Sequence, residues 1–185
     1  MLCGLKLENL HLIRSHLIIG RDLICHMKKF IWDTSAIIDI KKWDGDMNSR
    51  SYCLIKDLSD GFIPGPYRNI FPALAVFEVN ATVSRMHRDG EKILREFYLM
   101  DENALLYDIN QDFVYKSNDL FARKGFDMLR GADLVIACIA FIESGYLVTL
   151  DKGFKRHVSE DVKVIDLNDR FEDSDYFKEI VEAKT

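Results

Sequence analysis

Between residues 134 and 142 the chain reads LVIACIAFI, an unbroken apolar run. A helix lying on a surface interrupts its apolar stripe with polar positions, so this run predicts a helix buried on most sides, with Gly145 as its stop. The next stretch, YLVTL over residues 146–150, has the length and composition of a strand inside a parallel sheet. Asp151-Lys152-Gly153 then reads as a turn.

Elsewhere short apolar runs alternate with segments of helical spacing. Residues 30–33 predict a strand and 34–42 a helix, while 44–60, polar with scattered apolar positions, predict a second helix ending near Gly61. Pro64, Pro66 and Pro72 surround a loop leading into a second strand over 69–74. Apolar residues at 76, 79, 83 and 86 predict a helix over 75–87 that closes at Gly90. A helix over 91–100, a strand over 104–109, a helix over 111–124, the buried helix and strand already described, and a last strand over 161–167 complete the series before a charged tail. Strands alternating with helices predict βα repeats and a parallel sheet covered on both faces, an α/β fold.

Residues 1–26 stand apart. Their apolar runs are only two to four long and are broken by His11, Arg14, His16 and Arg21, which excludes a secretory signal. Met27 precedes Lys28-Lys29-Phe30-Ile31-Trp32-Asp33, where the first strand begins. The expectation is an N-terminal extension, or a misassigned start, over residues 1–26 and one domain over 27–185. A chain of 185 residues with 48% hydrophobic content can build one sizeable core.

A net charge of −5 argues against a protein that coats nucleic acid by bulk electrostatics, although a locally basic rim can still hold phosphates. Cys3, Cys25, Cys53 and Cys138 show no metal or redox spacing and are read as reduced cytosolic thiols. His11, His16, His26, His87 and His157 show no metal spacing either. No apolar run reaches the length of a membrane span, so a cytoplasmic protein without a membrane partner is expected.

Four acids occupy comparable places in this pattern. Asp33 follows the first strand, Glu78 sits on the first turn of the helix after the second, Asp133 opens the buried helix, and Asp151 closes the fourth strand. Taken singly, Asp33 and Asp133 suit helix N-caps, Glu78 complements a helix dipole, and Asp151 suits a turn. Taken together they face the carboxyl ends of the strands, where open α/β sheets bind ligands. Four carboxylates in one crevice repel one another unless protonated or neutralised, and a divalent cation neutralises them. Hard oxygens without Cys or His nearby in sequence favour Mg²⁺ or Mn²⁺ over zinc. Asp39 and Asp108 are spare acids, expected in caps or solvent.

Asp33-Thr34-Ser35-Ala36-Ile37-Ile38-Asp39, Glu78 on a helix after a proline-containing strand, Gly131-Ala132-Asp133, and Leu147-Val148-Thr149-Leu150-Asp151-Lys152-Gly153-Phe154 resemble, in order, the motifs of PIN-domain ribonucleases. Among these the resemblance is greatest to the VapC-type toxins of prokaryotic toxin–antitoxin pairs. It implies a three-layer α/β/α sandwich around a five-stranded parallel sheet, with Asp33, Glu78, Asp133 and Asp151 as catalytic residues holding Mg²⁺ or Mn²⁺. It implies a metal-activated water that cleaves RNA phosphodiesters, a cognate antitoxin and a homodimer. Thr34, Ser35 and Thr149 would support the carboxylates or a bound water. Gly153 departs from the many members that carry an acid or polar residue there, which weakens the case for a second ion and leaves the first intact.

Lys152, Lys155 and Arg156 follow Asp151 closely, and with Lys116, Arg123, Lys124 and Arg130 they are candidates to hold phosphates beside the scissile bond. Tyr115, Phe121, Phe126 and Met128 suit base stacking, but their helical spacing favours core packing. Two other readings share the fold. A non-toxic PIN-like scaffold would bind RNA or protein without cleavage. A phosphoacceptor signalling domain would need an acidic pair near the first strand and a lysine after the last, and neither stands here.

Overall fold

Strand β1 (Lys28–Trp32) lies at the centre of a five-stranded parallel sheet, paired with β2 (Tyr67–Pro72) on one side and β4 (Tyr146–Thr149) on the other. β3 (Ala104–Tyr107) flanks β2 and β5 (Lys163–Asp166) flanks β4, giving the order β3-β2-β1-β4-β5. This computed structural model describes residues 27–42, 49–86 and 102–169. The expected extension over 1–26, helix over 91–100 and charged tail lie outside the described residues.

Central position explains the composition of β1: Phe30, Ile31 and Trp32 have no exposed surface, since helices cover both faces of a parallel sheet. Trp32 stacks on Phe71, and its buried Nε1–H donates to Asn69 Oδ1 at 3.0 Å, so the one polar atom of the indole keeps a partner.

Helices α1 (Thr34–Lys42), α2 (Arg50–Ser59) and α3 (Ala73–Met86) belong to the connections that carry the chain from β1 through β2 to β3. Helices α4 (Gln111–Ser117), α5 (Gly131–Ile142) and α6 (Lys152–Val158) serve the connections that lead back to β4 and on to β5. Because parallel crossovers are right-handed, chain that steps across the sheet in opposite directions covers opposite faces. Accordingly α1 packs on α2 and α3, and α5 packs on α4 and α6, although α3 and α5 also meet. The α/β/α sandwich read from the sequence is the observed architecture.

Several bounds differ from expectation for physical reasons. α4 stops at Ser117, whose buried hydroxyl donates to Phe113 O at 2.8 Å, and the chain tightens into a 3₁₀ turn at Asn118–Leu120. The predicted turn at Asp151-Lys152-Gly153 is instead the start of α6, with Asp151 as N-cap accepting from Gly153 N at 2.7 Å. α3 begins at Ala73, so Glu78 lies past its first turn. α5 ends at Ile142, and Ser144 takes φ 52°. Gly145 is required for packing: a Cβ there would stand 2.3 Å from Ile31 Cδ1 and 2.8 Å from Lys29 O.

Candidate functional site at the strand carboxyl ends

The strand order reverses between β1 and β4, because successive strands step one way from β1 and the other way from β4. Such a switch point opens a crevice at the carboxyl ends of the two strands. Asp33 is the residue after β1, and Asp151 lies two residues after the end of β4.

Asp33 is 3% exposed. Its backbone remains in the sheet, with N donating to Val148 O at 3.0 Å, and its carbonyl accepts from Ile37 N at 3.0 Å as the first bond of α1. Its Oδ2 accepts from Ser35 N at 3.2 Å, Ser35 Oγ at 2.5 Å and Thr149 Oγ1 at 2.8 Å. Asp33 is therefore the N-cap of α1 and also a buried carboxylate at the switch point. Burial pushes its carboxyl above the usual range, while the bonds from Ser35 and Thr149 act in the opposite sense.

Glu78 reaches this end of the sheet from α3. Its Oε2 accepts from Thr34 Oγ1 at 2.7 Å, so adjacent residues at the start of α1 hold two different acids. Asp133 lies in the first turn of α5, behind Gly131, whose φ of 53° turns the chain into the helix. It is no N-cap, as expectation had it, because Arg130 takes that position. The Asp133 carboxyl is pushed up to about 6, first by burial and then by the negative charges of Asp33, Asp151 and Glu78. Thus all four sequence-selected acids share one electrostatic environment.

Their donor chemistry and joint charge fit a hard divalent cation. Their present rotamers do not form a closed ligand set: among the described residues no three Asp, Glu, His or Cys side chains are grouped to hold an ion. Each is held by the chain itself: Glu78 by Thr34, Asp33 by Ser35 and Thr149, and Asp151 by the amide of Gly153.

The basic residues divide. Lys155 pairs with Asp169, Lys116 with Asp112 at 2.7 Å, and Arg123 with Asp161 at 2.5 Å. Arg130 donates to Asp127 O and Leu129 O. Lys152 and Arg156, both exposed and one turn apart on α6, form no ion pair with any described acid. Of the aromatic and methionine candidates, Phe126 is buried edge-on to Phe141, whereas Tyr115, Phe121 and Met128 are exposed. Core packing holds only for Phe126. Ser49 is the N-cap of α2, Asp39 supports it by accepting from Ser49 Oγ and Ser51 N, and Asp108 is exposed.

Sequence reading missed the loop leading to Asp133. Gly125, at φ 93°, lies so close to α6 that a Cβ would stand 2.0 Å from His157 O. Arg123 lies 4.8 Å over the Phe141 ring while paired to Asp161. These contacts fasten the approach to α5 against α6 and the turn before β5; the available sequence signal was Gly125 between a charged pair and Phe126.

The chain belongs to the PIN-domain family, whose model matches residues 30–159. Its fold is similar to that in the crystal structure of VapBC2 from Rickettsia felis bound to a DNA fragment from their promoter, with a TM-score of 0.53 and 16% sequence identity over 74% of this chain and 97% of that one. No curated protein gives a significant match. Among the described residues no helix is long and apolar enough to cross a membrane.

Proposed function

We propose that this protein is a metal-dependent endoribonuclease and the toxin half of a toxin–antitoxin pair. The observation that carries the nuclease reading is that Asp33 and Asp151 follow β1 and β4 at the sheet's switch point, with Glu78 bonded to Thr34 beside Asp33 and Asp133 on the first turn of α5. Membership of the PIN-domain family supports the same chemistry. Likeness to the toxin–antitoxin complex VapBC2 supports an antitoxin partner, and the resemblance in sequence suggests a homodimer.

Asp33, Glu78, Asp133 and Asp151 would hold Mg²⁺ or Mn²⁺. When bound, the ion supplies a water activated for attack on the phosphodiester and charge stabilisation for the departing oxygen. The chain's part is to hold the acids. Thr34 restrains Glu78, while Ser35 and Thr149 restrain Asp33. Lys152 and Arg156, exposed on the helix that Asp151 caps, bind flanking phosphates, whereas the pairing of Lys155 with Asp169 reduces its part.

The alternative is a non-toxic PIN-like scaffold that binds RNA or protein without cutting it. Incubation with single-stranded and structured RNA in Mn²⁺ separates the two. The nuclease reading expects cleavage by the unaltered protein and its loss in Asp133→Asn. Intact RNA with both proteins, or equal cleavage by both, overturns it.

A further inference from the structure

Two hydroxyls, one beside the first strand and one at the end of the fourth, are each used twice. Ser35 Oγ donates to Asp33 Oδ2 at 2.5 Å and accepts from Leu150 N at 3.0 Å. Thr149 Oγ1 donates to the same Oδ2 at 2.8 Å and accepts from Asp151 N at 2.8 Å. The hydroxyls approach each other to 3.3 Å, but each has a single proton and both protons point to Asp33. That approach is therefore a packing contact, and the four bonds to Asp33, Leu150 and Asp151 carry the coupling.

The arrangement has a direction. An ionised Asp33 accepts protons only, which forces both hydroxyls to turn their lone pairs toward the amides of Leu150 and Asp151. Those amides belong to the two residues that follow β4, after regular strand pairing has ended. The Asp33 charge thus fixes the backbone that presents Asp151, and the fixed backbone in turn holds Thr149 against Asp33. Thr149 is wholly buried, so water cannot easily replace the hydroxyl.

We infer that Ser35 and Thr149 are positioning residues that latch Asp33 to the backbone carrying Asp151, and that cation affinity at the proposed nuclease site depends on this latch. The inference rests on the metal-site reading above for its affinity part, whereas the latch itself is independent of any ion. Neither hydroxyl need touch the cation or the RNA. Their role is to reduce the freedom of two acids that arrive from different strands, so that less order must be imposed when an ion binds.

The test uses full-length protein and two readouts. In metal-free protein, amide exchange followed by NMR should quicken about tenfold or more at Asp151 in Thr149→Val and at Leu150 in Ser35→Ala, as expected when an amide loses its acceptor. Thr149→Ser, which keeps the hydroxyl, should exchange as the parent does. In Mn²⁺ titrations Thr149→Val should bind about tenfold more weakly or worse, with Thr149→Ser restoring most of the affinity. Unchanged amide exchange in both hydroxyl-deleted variants overturns the latch. Quickened exchange with parental Mn²⁺ affinity overturns its bearing on the cation, even if thermal stability falls. Failure of the unaltered chain to bind Mn²⁺ overturns the metal-site reading and the affinity part together, and the exchange result still decides the latch. Ser35→Ala provides the same readings should Thr149→Val fail to fold.

Discussion

Thr34 Oγ1 donates to Glu78 Oε2 at 2.7 Å, joining the first residue of α1 to an acid on α3. This bond restrains one acid from a side that Ser35 and Thr149 do not touch. Thr34→Val should therefore weaken Mn²⁺ binding about tenfold, the scale of losing one hydrogen bond to a charged group, and Thr34→Ser should bind nearly as the parent does. Isothermal titration of the three proteins checks both outcomes.

Asp133 gives the metal-free protein a characteristic pH dependence. Its folded carboxyl titrates at about 6, above the ordinary 3.8, so between those values the folded protein binds more protons than the unfolded chain. Stability should fall as pH rises through that window and level off above it. Burial raises Asp33 too and adds in the same sense. Because Asp133 is partly exposed, solvent screening reduces its share to on the order of 1 kcal/mol. Urea unfolding in EDTA at pH 5 and pH 7.5 should show the decline, and Asp133→Asn should flatten it while stabilising the protein at the higher pH.

Two glycines with positive φ should respond differently to alanine. Gly61, at φ 76°, has nothing within 4 Å of an added Cβ, so Gly61→Ala should cost about 1 kcal/mol from backbone strain alone. Gly125, at φ 93°, adds a 2.0 Å clash with His157 O, and Gly125→Ala should cost about 2–4 kcal/mol. Chemical denaturation measures the difference.

RNA binding should separate the three basic residues of α6. Lys152→Ala and Arg156→Ala should each raise KM about threefold to tenfold, leave kcat nearly unchanged and reduce the salt dependence of binding. Lys155→Ala should do less because Asp169 already pairs with it. KM measured at two salt concentrations checks the order.

Much of this was legible in the sequence because strong local signals agreed with the tertiary demand. Helix α1 occupies the predicted 34–42, and the apolar run at 134–142 lies inside α5 with Ile136 to Ala140 buried. α6 was less legible because Lys152-Gly153 has the chemistry of a turn; its helical signal is only Phe154 and Val158, four apart and both buried. Phe121 was expected to pack if α4 continued, but the helix stops at Ser117 and the ring is exposed, while Tyr115 is exposed although it lies within α4. The bonds from Thr149 to Asp33 and from Leu150 to Ser35 span more than a hundred residues and depend on the register of β1 with β4, which no local pattern reveals.

Mn²⁺ affinity of four single variants, Asp33→Asn, Glu78→Gln, Asp133→Asn and Asp151→Asn, tests most directly whether the acids share a cation. The account predicts that each isosteric change weakens binding by about tenfold or more, because each removes one of the charges converging on the switch point. Parental affinity in all four variants, or no binding by the unaltered protein, would contradict it.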